Sequence, residues 1–119
     1  MRYPSYTILA NNDFLKILSR TRKQFGPRAC GRYASLIETA VLDLSHDPQR
    51  MGVLPRFKLG YGVYFYHLKH SKKSVANLTN RVMRPRHFIA FRIPSPSELQ
   101  ILRIVHERMQ FQRHSFHPD

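Results

Sequence analysis

Apolar residues recur at three- and four-residue spacing through Ala29, Tyr33, Leu36, Ile37, Ala40, Val41 and Leu44, as far as the break at Asp47-Pro48. That period puts them on one face of an amphipathic helix, the clearest pattern in the chain. A second helix is predicted before it, where Phe14, Leu15, Leu18 and Phe25 give an apolar face and Arg20, Arg22 and Lys23 a basic one. Asn12 or Asp13 is placed to cap its start at Phe14, and Gly26-Pro27 to end it. Tyr6-Thr7-Ile8-Leu9 favours a short strand leading into it. So short a break between two helices predicts an antiparallel hairpin, and its joint apolar surface needs a sheet to cover it.

Strands are predicted at Tyr61–Leu68, Phe88–Ile93 and Gln100–His106, which are rich in aromatic and β-branched residues. Pro94-Ser95-Pro96-Ser97 is the turn that joins the last two as a hairpin. Strict alternation along the final strand puts Leu102, Ile104 and His106 on one face and Ile101, Arg103 and Val105 on the other. The expected fold is therefore α+β: an N-terminal strand and an antiparallel helical hairpin packed on one face of a small, mainly antiparallel sheet. One domain should span residues 1–119, with a basic tail from about residue 107. The sheet's other face is expected to be cation-rich and free to grip a macromolecule. Burial of the last strand on both faces would overturn that picture and any family assignment built on it. The connection from Lys69 to His87 is long enough to be either a functional excursion or a flexible one.

Charge sharpens this reading. Among 119 residues, 20 are Lys or Arg and 7 are Asp or Glu, giving a net charge of +13. No acid falls between Asp47 and Glu98, yet ten cations do, half of the total. Such a field attracts nucleic acid or an acidic protein, and charge alone does not separate the two. At 42% hydrophobic residues the chain can build a core, which excludes a disordered basic tail. Its apolar runs are too short to cross a bilayer or to form a secretory signal, so the cytoplasm is the expected location. Cys30 is alone, so an internal disulfide and a cysteine-based zinc site are both excluded. His67 with His70, and His114 with His117, have a ligand-like spacing but sit among cations, so neither metal nor cofactor is expected.

A specific resemblance appears at the C-terminus. Ile101-Leu102-Arg103-Ile104-Val105-His106-Glu107-Arg108-Met109, followed by Arg113-His114, resembles the final strand and tail of the ParE and RelE toxin superfamily of bacterial toxin-antitoxin systems. Gly60 to Leu68 and Arg84 to Arg92 are similar to the strands that precede it there, and the element order agrees from about Tyr6 to His114. The resemblance implies a growth-arresting toxin and a small, cognate acidic antitoxin that neutralises it, with operator DNA reached only through the antitoxin. ParE-like members poison DNA gyrase; RelE-like members cut mRNA on the ribosome.

RNA cleavage through the 2′-hydroxyl needs a base, a proton donor for the leaving oxygen and cations around the phosphate. Arg81, Arg84, Arg86 and Arg103 are candidate phosphate ligands, and His67, His87 and His106 are candidate proton carriers. For His106 the competing reading is a partly buried, hydrogen-bonded strand residue. For Arg84 and Arg86 it is a solvated basic loop. No carboxylate lies in residues 48–97 to act as a base, and Phe116 stands where several nucleases of the superfamily carry a Tyr. These departures favour the ParE-like branch, with Arg103, Arg108, Arg113 and His114 as the surface that meets gyrase. A basic nucleic-acid-binding module is what composition alone would suggest.

Overall fold

The computed structural model describes residues 1–109 together with Phe111 and Phe116. Strand β1 (Tyr3–Tyr6) leads into helix α1 (Ile8–His46), followed by β2 (Leu54–Pro55), β3 (Tyr64–His67), β4 (His87–Ser95) and β5 (Glu98–His106). Short 3-10 turns occupy part of the β2–β3 and β3–β4 connections. The sheet order is β1-β5-β4-β3-β2, with β1 parallel to β5 and the other neighbours antiparallel. This is the expected α+β architecture.

The helix begins earlier than the sequence suggested. Thr7, not Asn12 or Asp13, is the N-cap: its hydroxyl oxygen accepts from the Ala10 N–H at 3.1 Å and donates to the Leu102 carbonyl at 2.8 Å. One buried side chain thus caps the helix and ties it to β5. The earlier start changes the helical phase. Ala10 and Ile17 are buried, Phe14 and Leu18 pack beside them, and Leu15 and Phe25, expected in the core, are instead exposed.

Gly26 breaks the helix into two arms, with φ 91° and ψ 174°. That extended, positive-φ region is open essentially to glycine alone, and Pro27 restarts the helix where its missing N–H is harmless. A straight helix of 39 residues would be about 58 Å long, beyond the 37 Å maximum extent of the molecule, so the helix is bent, and Ile17 and Arg20 of the first arm line one cleft with Arg32 and Tyr33 of the second. The second arm buries Tyr33, Leu36, Ile37, Ala40, Val41 and Leu44 against the sheet, as its periodicity predicts.

Alternation fails in β5. Ala90 pairs with Arg103 but Phe91 pairs with Ile101, so an extra residue is accommodated at Leu102. This β-bulge reverses the faces. Leu99, Ile101 and Ile104 lie under the hairpin, while Leu102 and Val105 point away from it.

The far face is not free. Val63, Phe65, Ala90, Leu102, Val105 and Phe116 form a second buried cluster, flanked by Leu59, Phe88, Met109 and Phe111. The Arg56 guanidinium lies 5.1 Å from the Phe65 ring centre and 5.5 Å from that of Phe111. The last strand is therefore buried on both faces, and the expectation of an open, cation-rich sheet surface is corrected. Hydrophobicity explains the change: each large apolar side chain removed from water contributes about 1.5–3 kcal/mol, and Phe111 and Phe116 supply the cover that the hairpin cannot.

Candidate functional site

The cations gather at the side of the sheet, not on its face. An open cleft of about 810 Å³ lies between the bend of α1 and the segment Arg81–His87. Arg20 comes from the first arm, Arg32 from the second, and Arg81, Arg84 and Arg86 from the connection, while Ile17, Phe25 and Tyr33 are among the apolar and aromatic groups lining it. His87 and His106 sit at its inner end, their rings 5.2 Å apart at the start of β4 and the end of β5. No Asp or Glu lines the cleft.

Its inner wall is fixed by a short hydrogen-bond chain. The Arg86 N–H donates to the Tyr33 hydroxyl at 3.0 Å, and that hydroxyl lies 2.6 Å from Nδ1 of His87. The phenol and Nδ1 share one proton across this contact, and the His87 tautomer sets which of the two donates. Burial, helped by nearby His106 and His67, lowers the His87 pKa to about 4. Burial raises the Tyr33 pKa to about 12. Both groups are neutral at pH 7.

The other two histidines share one polarity. Nδ1 of His106 accepts from the Arg108 N–H at 3.1 Å, and Nδ1 of His67 accepts from the Lys69 N–H at 3.0 Å. Nε2 of His67 then donates to Glu107 at 3.2 Å, and the other oxygen of that carboxylate accepts from Arg86. Burial lowers the His67 pKa, so this contact is a hydrogen bond to a neutral ring at pH 7. Hydrogen bonds from Arg86 and then His67 hold the Glu107 carboxyl below its usual range. In both rings Nδ1 is filled as an acceptor and Nε2 carries the proton.

The candidates read from the sequence thus divide. Arg81, Arg84, Arg86, His87 and His106 converge on one cleft. Arg103 does not join them: Nε and Nη2 donate to the Asp13 carboxylate at 2.7 and 3.0 Å, and Asp13 also accepts from the Ile104 N–H at 3.0 Å. Its guanidinium fastens the helix to β5. Arg108 is exposed beyond the end of β5, while Arg113 and His114 lie outside the described residues, as do both members of the His114 and His117 pair. His67 and His70 do not converge, since His70 packs against the Tyr66 ring; no group of three metal-ligating side chains exists among the described residues.

Sequence reasoning missed Tyr33, Arg20 and Arg32 as cleft residues. A signal was available: Arg20 and Arg32 are equally distant in sequence from Gly26, and a hairpin about that glycine brings equidistant positions together.

A family model describing the ParE toxin of type II toxin-antitoxin systems, parDE, matches residues 5–111. The chain belongs to that toxin family. No curated protein matches it. The match spans the hairpin, the cleft, the second half of β1 and every later strand, so the family assignment stands although the far face of the sheet is buried. An antitoxin partner follows from membership of such a system. No helix among the described residues is long and apolar enough to cross a membrane.

Both edge strands of the toxin's sheet are short and contain a proline. Tyr3 and Thr7 turn their N–H groups toward β5. On the outer side of β1, the Arg2 N–H is taken by the Ser45 carbonyl and Pro4 has no N–H to offer. The opposite edge, β2, is two residues long and includes Pro55. Short edges interrupted by proline are a recurrent defence against pairing with another chain.

Proposed function

We propose that this toxin arrests growth in the bacterial cytoplasm by poisoning DNA gyrase, without enzymatic chemistry of its own, and that a cognate acidic antitoxin neutralises it. Operator DNA is reached only through that antitoxin. The observation that carries the non-enzymatic reading is the state of the histidines: burial lowers the His87 pKa to about 4 and makes it a weak base, and His67 and His106 each present an N–H and no free acceptor nitrogen. A ring with no free acceptor nitrogen cannot take a proton from a 2′-hydroxyl. Glu107, the nearest carboxylate, is held by Arg86 and His67.

The target surface is the exposed end of β5 and the tail, with Arg108, Arg113 and His114 as its cations; Arg103 contributes by holding the strand in place. For the antitoxin, the blunted sheet edges favour the hairpin, where Leu15, Phe25 and Leu42 are exposed among basic residues. A net charge of +13 speeds and strengthens capture of an acidic partner.

One observation favours the second reading, a ribosome-dependent mRNA endonuclease: Arg81, Arg84, Arg86, His87 and His106 do share a cleft. Induction of the chain alone in bacteria separates the two. Gyrase poisoning stops DNA replication and leaves gyrase-linked breaks while translation continues at first. Cuts in ribosome-bound transcripts, with replication initially intact, would reverse the assignment. Replacing Arg108 and Arg113 with Glu tests the surface: undiminished growth arrest in that variant removes it from consideration.

A further inference from the structure

We propose that the arginine cleft binds a nucleic-acid strand directly through its phosphodiester backbone, whichever macromolecule the toxin poisons. Three features of the cleft carry this.

The first is its charge. Five guanidinium groups surround one opening and no carboxylate lines it. Two of these groups are already engaged, Arg81 with the Val75 and Lys73 carbonyls and Arg86 with Glu107. Arg20, Arg32 and Arg84 have no hydrogen-bond or ion-pair partner among the described residues. They stand on three different segments, so cations face the opening from several sides.

The second is the choice of cation. The chain holds fourteen Arg and six Lys, yet every Lys is absent from the cleft. A guanidinium forks onto a carboxylate as well as onto a phosphate, so the distinction from an acidic peptide lies in stacking on a base. The planar group stacks flat on a base, which an ammonium cannot do. Phe25 stands 73% exposed at the rim, an aromatic surface on which an unpaired base can stack.

The third is polarity. The guanidinium groups only donate, and His106, whose Nδ1 accepts from the Arg108 N–H, presents its Nε2–H. A site so rich in donors matches a ligand rich in acceptors, as a phosphodiester chain is. The volume of about 810 Å³ suits one or two nucleotides rather than a single ion.

The test uses the purified full chain and fluorescence anisotropy with labelled single-stranded DNA, duplex DNA and RNA, each roughly 20 nucleotides long, over a range of salt. Poly-glutamate serves as competitor. Binding should favour a single strand, and a DNA–RNA difference would identify the source of the strand. Arg20→Gln with Arg84→Gln should weaken binding at least about tenfold and reduce the log–log salt slope by roughly 2. Lys58→Gln with Lys69→Gln removes the same charge outside the cleft and should weaken it by no more than about twofold. Arg20→Lys with Arg84→Lys keeps the charge and should still lose several-fold, which general electrostatics would not produce. Equal losses from the cleft and control pairs would overturn the proposal. So would displacement of DNA by poly-glutamate at matched charge, which would make this an acidic-peptide site. Gyrase assays report separately on the target.

Discussion

The phenol of Tyr33, on the second arm of the hairpin, is hydrogen-bonded across 2.6 Å to Nδ1 of His87, the first residue of β4. The same oxygen accepts from the Arg86 N–H, so one side chain fixes the helix, the strand and the last cation of the connection. Tyr33→Phe keeps the packing but leaves Nδ1 and the Arg86 N–H without their partner. A loss of about 1–3 kcal/mol is expected in urea unfolding, together with increased protease cleavage within residues 81–86.

His87 also gives the fold a pH dependence of known sign. Its pKa is about 4 in the folded toxin against 6.5 for the free side chain. Between those values the unfolded chain binds a proton that the folded chain refuses, so stability rises with pH. The contribution is complete above about pH 6.5 and is lost as the pH falls toward 4, with an upper magnitude on the order of 3 kcal/mol. His67 is shifted the same way, and Glu107 continues the trend at lower pH. Denaturant midpoints should therefore fall from pH 7 to pH 5, and His87→Gln should flatten much of that fall. An unchanged slope in the variant would place the titrating group elsewhere.

Asp13 and Arg103 are distant in sequence and joined by two hydrogen bonds, with both side chains mostly buried. Asp13→Ala removes the carboxylate to which the mostly buried Arg103 guanidinium and the Ile104 N–H both donate, and about 3–5 kcal/mol should be lost. The double variant Asp13→Leu with Arg103→Met should recover a large part of that loss, because the penalty lies in the uncompensated charge. The pair also constrains functional genetics: an Arg103 charge reversal that abolishes growth arrest reports on folding unless circular dichroism remains native.

These contacts show which parts of the molecule could be read along the chain. The second arm was legible because Tyr33 to Leu44 repeat on a single helical face. Gly26-Pro27 announced the bend by backbone chemistry alone. Period-two reasoning failed in β5 because the bulge at Leu102 is set by its pairing with β4, which leaves no local mark in a run of Leu, Ile and Val. Thr7 was overlooked as a cap because Asn12 and Asp13 are stronger local candidates, and only the path of β1 along β5 decides between them. Asp13 was then free to reach Arg103. The cleft was half legible: the cations of residues 81–86 stood out, whereas Arg20 and Arg32 gained meaning only when the hairpin closed.

Gly26 offers a clean test of the bend. Nothing lies within 4 Å of where a Cβ would stand, so Gly26→Ala meets no steric obstacle and acts through the backbone alone. Its φ of 91° with ψ of 174° should make the substitution about 1–3 kcal/mol destabilising. A variant as stable as the parent would mean that the arms can join by another backbone path.

Phe116 decides whether the second core is integral to the fold. It is 1% exposed, its ring centre is 5.4 Å from that of Phe65, and it covers Leu102 and Val105 on the face opposite the hairpin. Phe116→Ala removes most of that cover and should lower stability by about 3–5 kcal/mol while raising binding of a hydrophobic dye. Phe116→Leu retains much of the apolar volume and should lose less than about half as much. If the Ala variant keeps the parent's stability, the far face of the sheet does not depend on Phe116, and a partner could approach β5 from that side. If stability falls as expected, macromolecules must meet this toxin at the cleft, the outer hairpin or the exposed end of β5, since the sheet face itself is closed.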